Sequence, residues 1–121
     1  MTKAQKIKYF KDNVYKYQKE LGLLNWEIHI DLDNREDVRG SAYSNIEGKI
    51  ATLYYSPKWI SNKETTRKEI RRVAYHELLE VYFSSLRQSL AKFYSEQFTD
   101  EKVHAVLRLV ENMKFWVENV S

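Results

Sequence analysis

The chain has 121 residues, 43% of them hydrophobic and 31% charged, with a net charge of +3 and no cysteine. That is the size and balance of one globular domain spanning 1–121, long enough to bury about two-thirds of its unfolded surface without cross-links. Disulfides, thiolate metal sites and cysteine nucleophiles are excluded, and no apolar run reaches the length of a membrane span. With no secretory leader, the expected compartment is the cytoplasm, of a cell or of an infected host.

The first predicted element is a helix in KAQKIKYFKDNVYKYQKELGL. Ile7, Phe10, Val14, Tyr17 and Leu21 recur at spacings of three and four, lysines fill much of the remaining circumference, and Gly22 is the stop. NWEIHIDLD alternates: Trp26, Ile28, Ile30 and Leu32 point one way, and Glu27, His29, Asp31 and Asp33 the other, as in a half-buried strand. On that polar face His29 is read as solvated. After the turn NREDVRG, the stretch SAYSNIEGKIATLYYS reads as two short strands meeting near Glu47-Gly48, closed by Pro57. Helical patterning then runs from Ser61 or Asn62 towards Phe93, with Ser84 and Ser85 marking a bend or break. A last helix is expected over Asp100–Asn119, capped by Thr99 or Asp100. Its inner stripe is Val103, Val106, Leu107, Val110, Met113 and Val117. The order is helix, three short strands, long helix, helix, an α+β architecture.

The long helix carries AYHELLEVYF. At about 100° per residue, Ile70, Ala74, Tyr75, Leu78, Leu79, Val81, Tyr82, Phe83 and Leu86 cover well over half its circumference, so it must be covered on several sides. His76 and Glu80 stand one turn apart on the remaining sector, and Glu77 projects towards the margin formed by Ile70 and Val81. A carboxylate beside an apolar surface needs a compensating partner. Two readings follow. Three specified positions arise easily by chance, and His76 and Glu80 at i and i+4 pair readily on a solvated face that also holds Glu69 and Arg87. Taken alone, the pattern favours that solvated face.

The second reading is a metal site. HE-x-x-H places two imidazoles on adjacent turns to grip one zinc ion, with the intervening Glu as general base. Glu80 stands where the second histidine would be. VHAVLRLVEN on the last helix supplies His104, which two packed antiparallel helices would bring towards His76 and Glu80. Two histidines and one glutamate form a ligand set already used by catalytic zinc. His104 equally suits the amphipathic edge of its helix, and Glu111, seven residues on and on the same face, reads as a surface acid.

LNWEIHIDL, KIATLYYS, YHELLEVYF and VHAVLRLVENM together resemble the minimal zincin-like metallopeptidases, especially small proteins of that type carried by phages and mobile elements. Their pattern is an opening helix, a W-x-I-x-V strand, a strand before an HE-x-x-H helix, and a terminal helix ending in Leu-Glu-Asn. The resemblance implies a zinc cofactor held by His76, Glu80 and His104, with Glu77 as the catalytic base. It also implies that the strand over 48–55 aligns an extended protein partner or peptide substrate by edge pairing. Two positions depart from the pattern: Glu80, and Val103 where an acid is more usual. Both fall at the proposed site while the apolar pattern is intact, as in a scaffold kept after its chemistry has weakened.

Three functions are therefore expected in order. The first is a zincin-like accessory protein, phage-encoded by resemblance, that binds and inhibits a host or defence protein. The second is a zinc-dependent peptide hydrolase using Glu77. The third is nucleic-acid binding through the lysines of the first helix and Lys63, Arg67, Lys68, Arg71 and Arg72, a cluster diluted by Glu64 and Glu69.

Overall fold

The computed structural model describes residues 1–59 and 66–120, and for 117–120 the backbone course alone. Its elements are α1 (Lys3–Glu20), β1 (Glu27–Leu32), β2 (Gly40–Asn45), β3 (Ile50–Tyr55), α2 (Arg67–Tyr82), α3 (Ser84–Leu90) and α4 (Glu96–Val120). The fold is α+β, with four helices and one three-stranded sheet among the described residues.

Each helix start has a local cause. Thr2 and Thr66 are extended N-caps, and each closes a capping box with the residue three positions on, Gln5 and Glu69. Such boxes satisfy backbone N–H groups that have no partner within the helix. Because Thr66 is extended, α2 begins at Arg67 rather than at 61 or 62; those two positions lie outside the described residues. α2 ends at Tyr82, and Ser84 Oγ donates to Val81 O at 2.6 Å across the break the serines foretold. α4 starts a turn earlier than expected, where the Ser95 hydroxyl accepts from the Phe98 N–H at 3.1 Å. Thr99, expected as a cap, is buried inside the helix. Gly22, at φ +70°, ends α1 as read, since that left-handed conformation costs glycine nothing.

The sheet has the order β1-β3-β2, with β1 parallel and β2 antiparallel to β3. This corrects the expectation for residues 48–55. β3 is the central strand, hydrogen-bonded on both sides, so no partner strand can add to it. Among the described residues the open edges belong to β1 and β2. The arrangement follows from the β2–β3 hairpin together with parallel pairing of β1 on the other side. That pairing is extended by Glu27 N–H to Lys49 O and Asp33 N–H to Tyr55 O, each 2.9 Å.

Alternation decides the sheet's faces. Ala51, Leu53 and Tyr55 of β3 are buried towards the helices, flanked by Ile30 and Ala42 in register with Leu53. His29 and Tyr43, both paired with Thr52, lie on the exposed face, where His29 sits 3.1 Å from Glu27. α1 packs its Phe10, Val14 and Tyr17 stripe into the same core. Phe10 stacks on Tyr55 with centroids 4.5 Å apart, and Tyr17 meets Tyr75 edge-on at 5.1 Å.

α2 is the central helix: Ile70, Val73, Ala74, Tyr75, Leu78, Leu79 and Val81 are all buried. Tyr82, the last residue of α2, and Leu86, beyond the break at Phe83, both expected under cover, are exposed. On α4 the buried hydrophobic residues are Val103, Leu107 and Phe115, whereas Val106 and Met113 face solvent. Among the described residues α4 packs against α2 and α3 and meets the end of α1 through Lys114 and Glu20, and its outer side stays in solvent; the side chain of Val117 is not described.

Candidate functional site

α2 and α4 run antiparallel, which the side-chain pairs across their seam make explicit. Going backwards along α2 and forwards along α4, Glu80 faces His104, His76 faces both His104 and Glu111, and Arg72 faces Glu111 and Asn112. His76, Glu80 and His104, separated by up to 28 positions in sequence, meet on this seam.

The geometry there is specific. Glu80 Oε1 lies 3.8 Å from His76 Nε2 and 3.8 Å from His104 Nδ1, and the two imidazole centroids are 5.9 Å apart. At 3.8 Å neither contact is a hydrogen bond. The second Glu80 oxygen is held by Arg87 Nη2 at 3.0 Å, and Arg87 Nη1 holds Asp100 at 2.6 Å, so one guanidinium from α3 ties α2 to α4.

His76 is oriented from behind. Its Nδ1 lies 2.9 Å from Glu111 Oε2, leaving Nε2 turned towards Glu80 and His104. Glu111 is a correction to the sequence reading: it is half-buried, and Arg72 Nε approaches its other oxygen at 3.4 Å. The hydrogen bond its Nδ1–H donates to the Glu111 carboxylate holds the His76 imidazole above its ordinary pKa, against the opposing effect of burial. Burial pushes the Glu111 carboxyl up, but His76 and Arg72 outweigh it and hold the group below its ordinary range.

Glu77 behaves differently. Its side chain is only 7% exposed, and burial, reinforced by Glu80 and Glu111 and opposed by His76, raises its carboxyl from 4.5 to about 7. It lines a cleft of about 460 Å³ with His76, Arg39, Gly40, Arg72 and Arg108 among its other walls. Gly40 opens β2 here. A Cβ on it would lie 2.8 Å from Tyr54 O, 3.1 Å from Val73 Cγ1 and 3.5 Å from Glu77 Cγ, so the bare backbone lets the free edge of β2 run close beside Glu77.

The donor set suits zinc chemically, with two imidazoles and one carboxylate converging and a carboxylate behind His76 as metal-bound histidines usually have. Among the described residues, no group of three His, Cys, Asp or Glu side chains stands ready-made at metal-cage spacing. Two of the spacings are consistent with that: tetrahedral zinc sets its donors roughly 3.3 Å apart, and Glu80 Oε1 stands 3.8 Å from a nitrogen of each imidazole. For the two Glu80 contacts the excess of about half an ångström is within the reach of small side-chain torsions, and the donor types suit the ion.

The cationic segment has a different fate. Arg71 Nη1 donates to the Tyr9 hydroxyl at 2.8 Å, Arg67 lies over the Tyr9 ring, and Arg72 is engaged with Glu111 and Asn112. These three are internal ties rather than a free phosphate-binding patch; Lys63 lies outside the described residues. The sequence reading missed Glu111, Arg39, Gly40, Arg72 and Arg108 as lining of the site. Only Glu111 carried a signal, its seven-residue spacing from His104. Compared with known proteins, the chain matches no family model, no curated protein and no solved structure.

Proposed function

We propose that the protein is a zinc-dependent peptide hydrolase of zincin-like type. One observation carries the reading: three donors from two helices converge without bonding one another, beside a buried carboxylate that opens onto a cleft. Zinc bound by His76, Glu80 and His104 would supply Lewis acidity at the scissile carbonyl. Glu77 is the general base: it accepts a proton from the attacking water and delivers it to the departing amine. Glu111 holds the His76 ring in orientation, and Arg87 fixes Glu80. An extended peptide lies along the open edge of β2, whose first residue, Gly40, borders Glu77.

Elemental analysis of untagged protein grown with zinc tests this. One zinc per chain is expected, lost in His76→Ala and His104→Ala. Glu77→Gln should keep the metal while hydrolysis of a peptide library falls by about 10²–10⁴-fold. A wild-type chain that neither retains nor takes up zinc overturns the proposal.

The Arg87–Glu80 ion pair favours a second reading, a zincin-like protein that binds another protein without turnover, because it neutralises one candidate ligand in advance. In that case Glu77→Gln leaves biological activity intact, and substitutions along the β2 edge abolish it.

A further inference from the structure

The cleft beside Glu77 carries an unanswered charge. Arg39, Arg72 and Arg108 all line it. Arg72 is matched by Glu111 and Asn112. The other two are not. Arg39 lies over the Trp59 ring with its guanidinium carbon 4.4 Å from the centroid, a contact that steadies the fork without neutralising it. Arg108 is exposed on α4 and has no ion-pair or hydrogen-bond partner among the described residues. The two arginines line the cleft from different elements, Arg39 from just before β2 and Arg108 from α4, with α2 between them.

Guanidinium forks match carboxylates in a planar, two-point geometry, and the attraction strengthens in a cleft partly screened from water. The cleft also begins where the open edge of β2 begins, at Gly40. The geometry points to a carboxylate subsite: Arg39 and Arg108 select a peptide bearing an Asp or Glu side chain, or a free chain terminus, next to the segment lying along β2. The peptide part of this assignment rests on the function proposed above; the charge preference is a separate property of the arginines. A nucleic acid fits less well. It would need a line of unpaired cations following its backbone, and here two face a cleft of about 460 Å³.

The test uses the full chain treated with chelator, so that no carboxylate is drawn to a metal. The probes are six pools of fluorescein-labelled random heptapeptides, with Glu, Gln or Lys fixed at the centre and either a free or an amidated terminus. Binding is followed by anisotropy at low salt. The Glu pools, the free-terminus pools or both should bind about tenfold tighter than the Gln-amide pool, with Lys-amide weakest. Comparing the Glu-amide with the free-terminus Gln pool tells which source of carboxylate is read. The double variant Arg39→Gln/Arg108→Gln, whose sites are exposed, should melt like wild type and lose the preference. Arg39→Glu/Arg108→Glu should favour Lys. Pools that bind alike, a preference that survives the double Gln variant, binding to none of the six, or displacement of the peptide by a random oligonucleotide each overturn the subsite. The hydrolase reading fails independently, by absence of zinc and turnover.

Discussion

Replacing Glu77 by Gln should stabilise the protein, and by an amount that depends on pH in a defined way. The wild-type carboxyl sits among α2, β2 and the Glu80 and Glu111 carboxylates at 7% exposure, and its pKa rises from 4.5 to about 7 on folding, chiefly through burial. The folded state therefore holds a proton that the unfolded state has released between those values. Stability falls as pH climbs from about 4.5, and the full cost is present above about 7. At about 1.4 kcal/mol per pH unit, the whole span amounts to about 3 kcal/mol. Gln has nearly the same volume and no charge to lose. Relative to wild type, Glu77→Gln should thus gain little or nothing in going to pH 4.5, gain progressively up to pH 7, and level off near 3 kcal/mol above its acid baseline. Urea denaturation in chelator at half-unit steps from pH 4.5 to 8.5 measures this directly, with constant m-values as the check on two-state behaviour. A difference flat with pH, or one shrinking towards alkaline pH, refutes a buried carboxylate held protonated by its surroundings. The same variant should lose peptide hydrolysis, so a residue that costs stability would be shown to serve chemistry.

Two further outcomes follow from the same seam. Glu111→Gln removes the partner of His76. The raised His76 pKa contributes stability that is complete below 6.5 and fades as pH rises through the folded value, whereas the lowered Glu111 pKa contributes stability that is complete above 4.5 and fades as pH falls through its folded value. The loss, about 1–2 kcal/mol for a partly buried charge-assisted hydrogen bond, should therefore be greatest between pH 4.5 and 6.5 in urea titrations. In equilibrium competition with a chelating dye, the same variant should bind zinc about 10–100-fold more weakly at unchanged stoichiometry. Gly40→Ala forces a Cβ to 2.8 Å from Tyr54 O; thermal melts should show a loss of about 1–3 kcal/mol, since the backbone of β2 must move away from β3 and α2.

The elements were largely legible because their causes are local. The α1 stripe, the β1 alternation, the Glu47-Gly48 turn and the breadth of the apolar face on α2 all lie within short windows. The placement of His104 opposite His76 and Glu80 was also accessible, since adjacent antiparallel helices bring residues on facing stripes together. Strand order was not. KIATLYYS looks the same whether it is an edge or the middle of a sheet, and only the pairing of β1 with β3 decides that β2 carries the open edge. Glu111 illustrates the same limit: an acid beside an apolar stripe reads as solvated until the helix opposite supplies His76 and Arg72. Arg39 is separated from Arg108 by most of the chain, and no periodicity links them.

The sequence by itself pointed to an α+β chain whose central helix must be covered on several sides, and to His76, Glu80 and His104 on faces that two packed antiparallel helices bring together. The tertiary structure alone decided that Glu77 is buried, that Glu111 steadies a histidine and that Glu80 is held by arginine. A side chain's pKa and partners depend on groups brought close from distant positions, and spacing along the chain carries no record of the distances at which they come to rest.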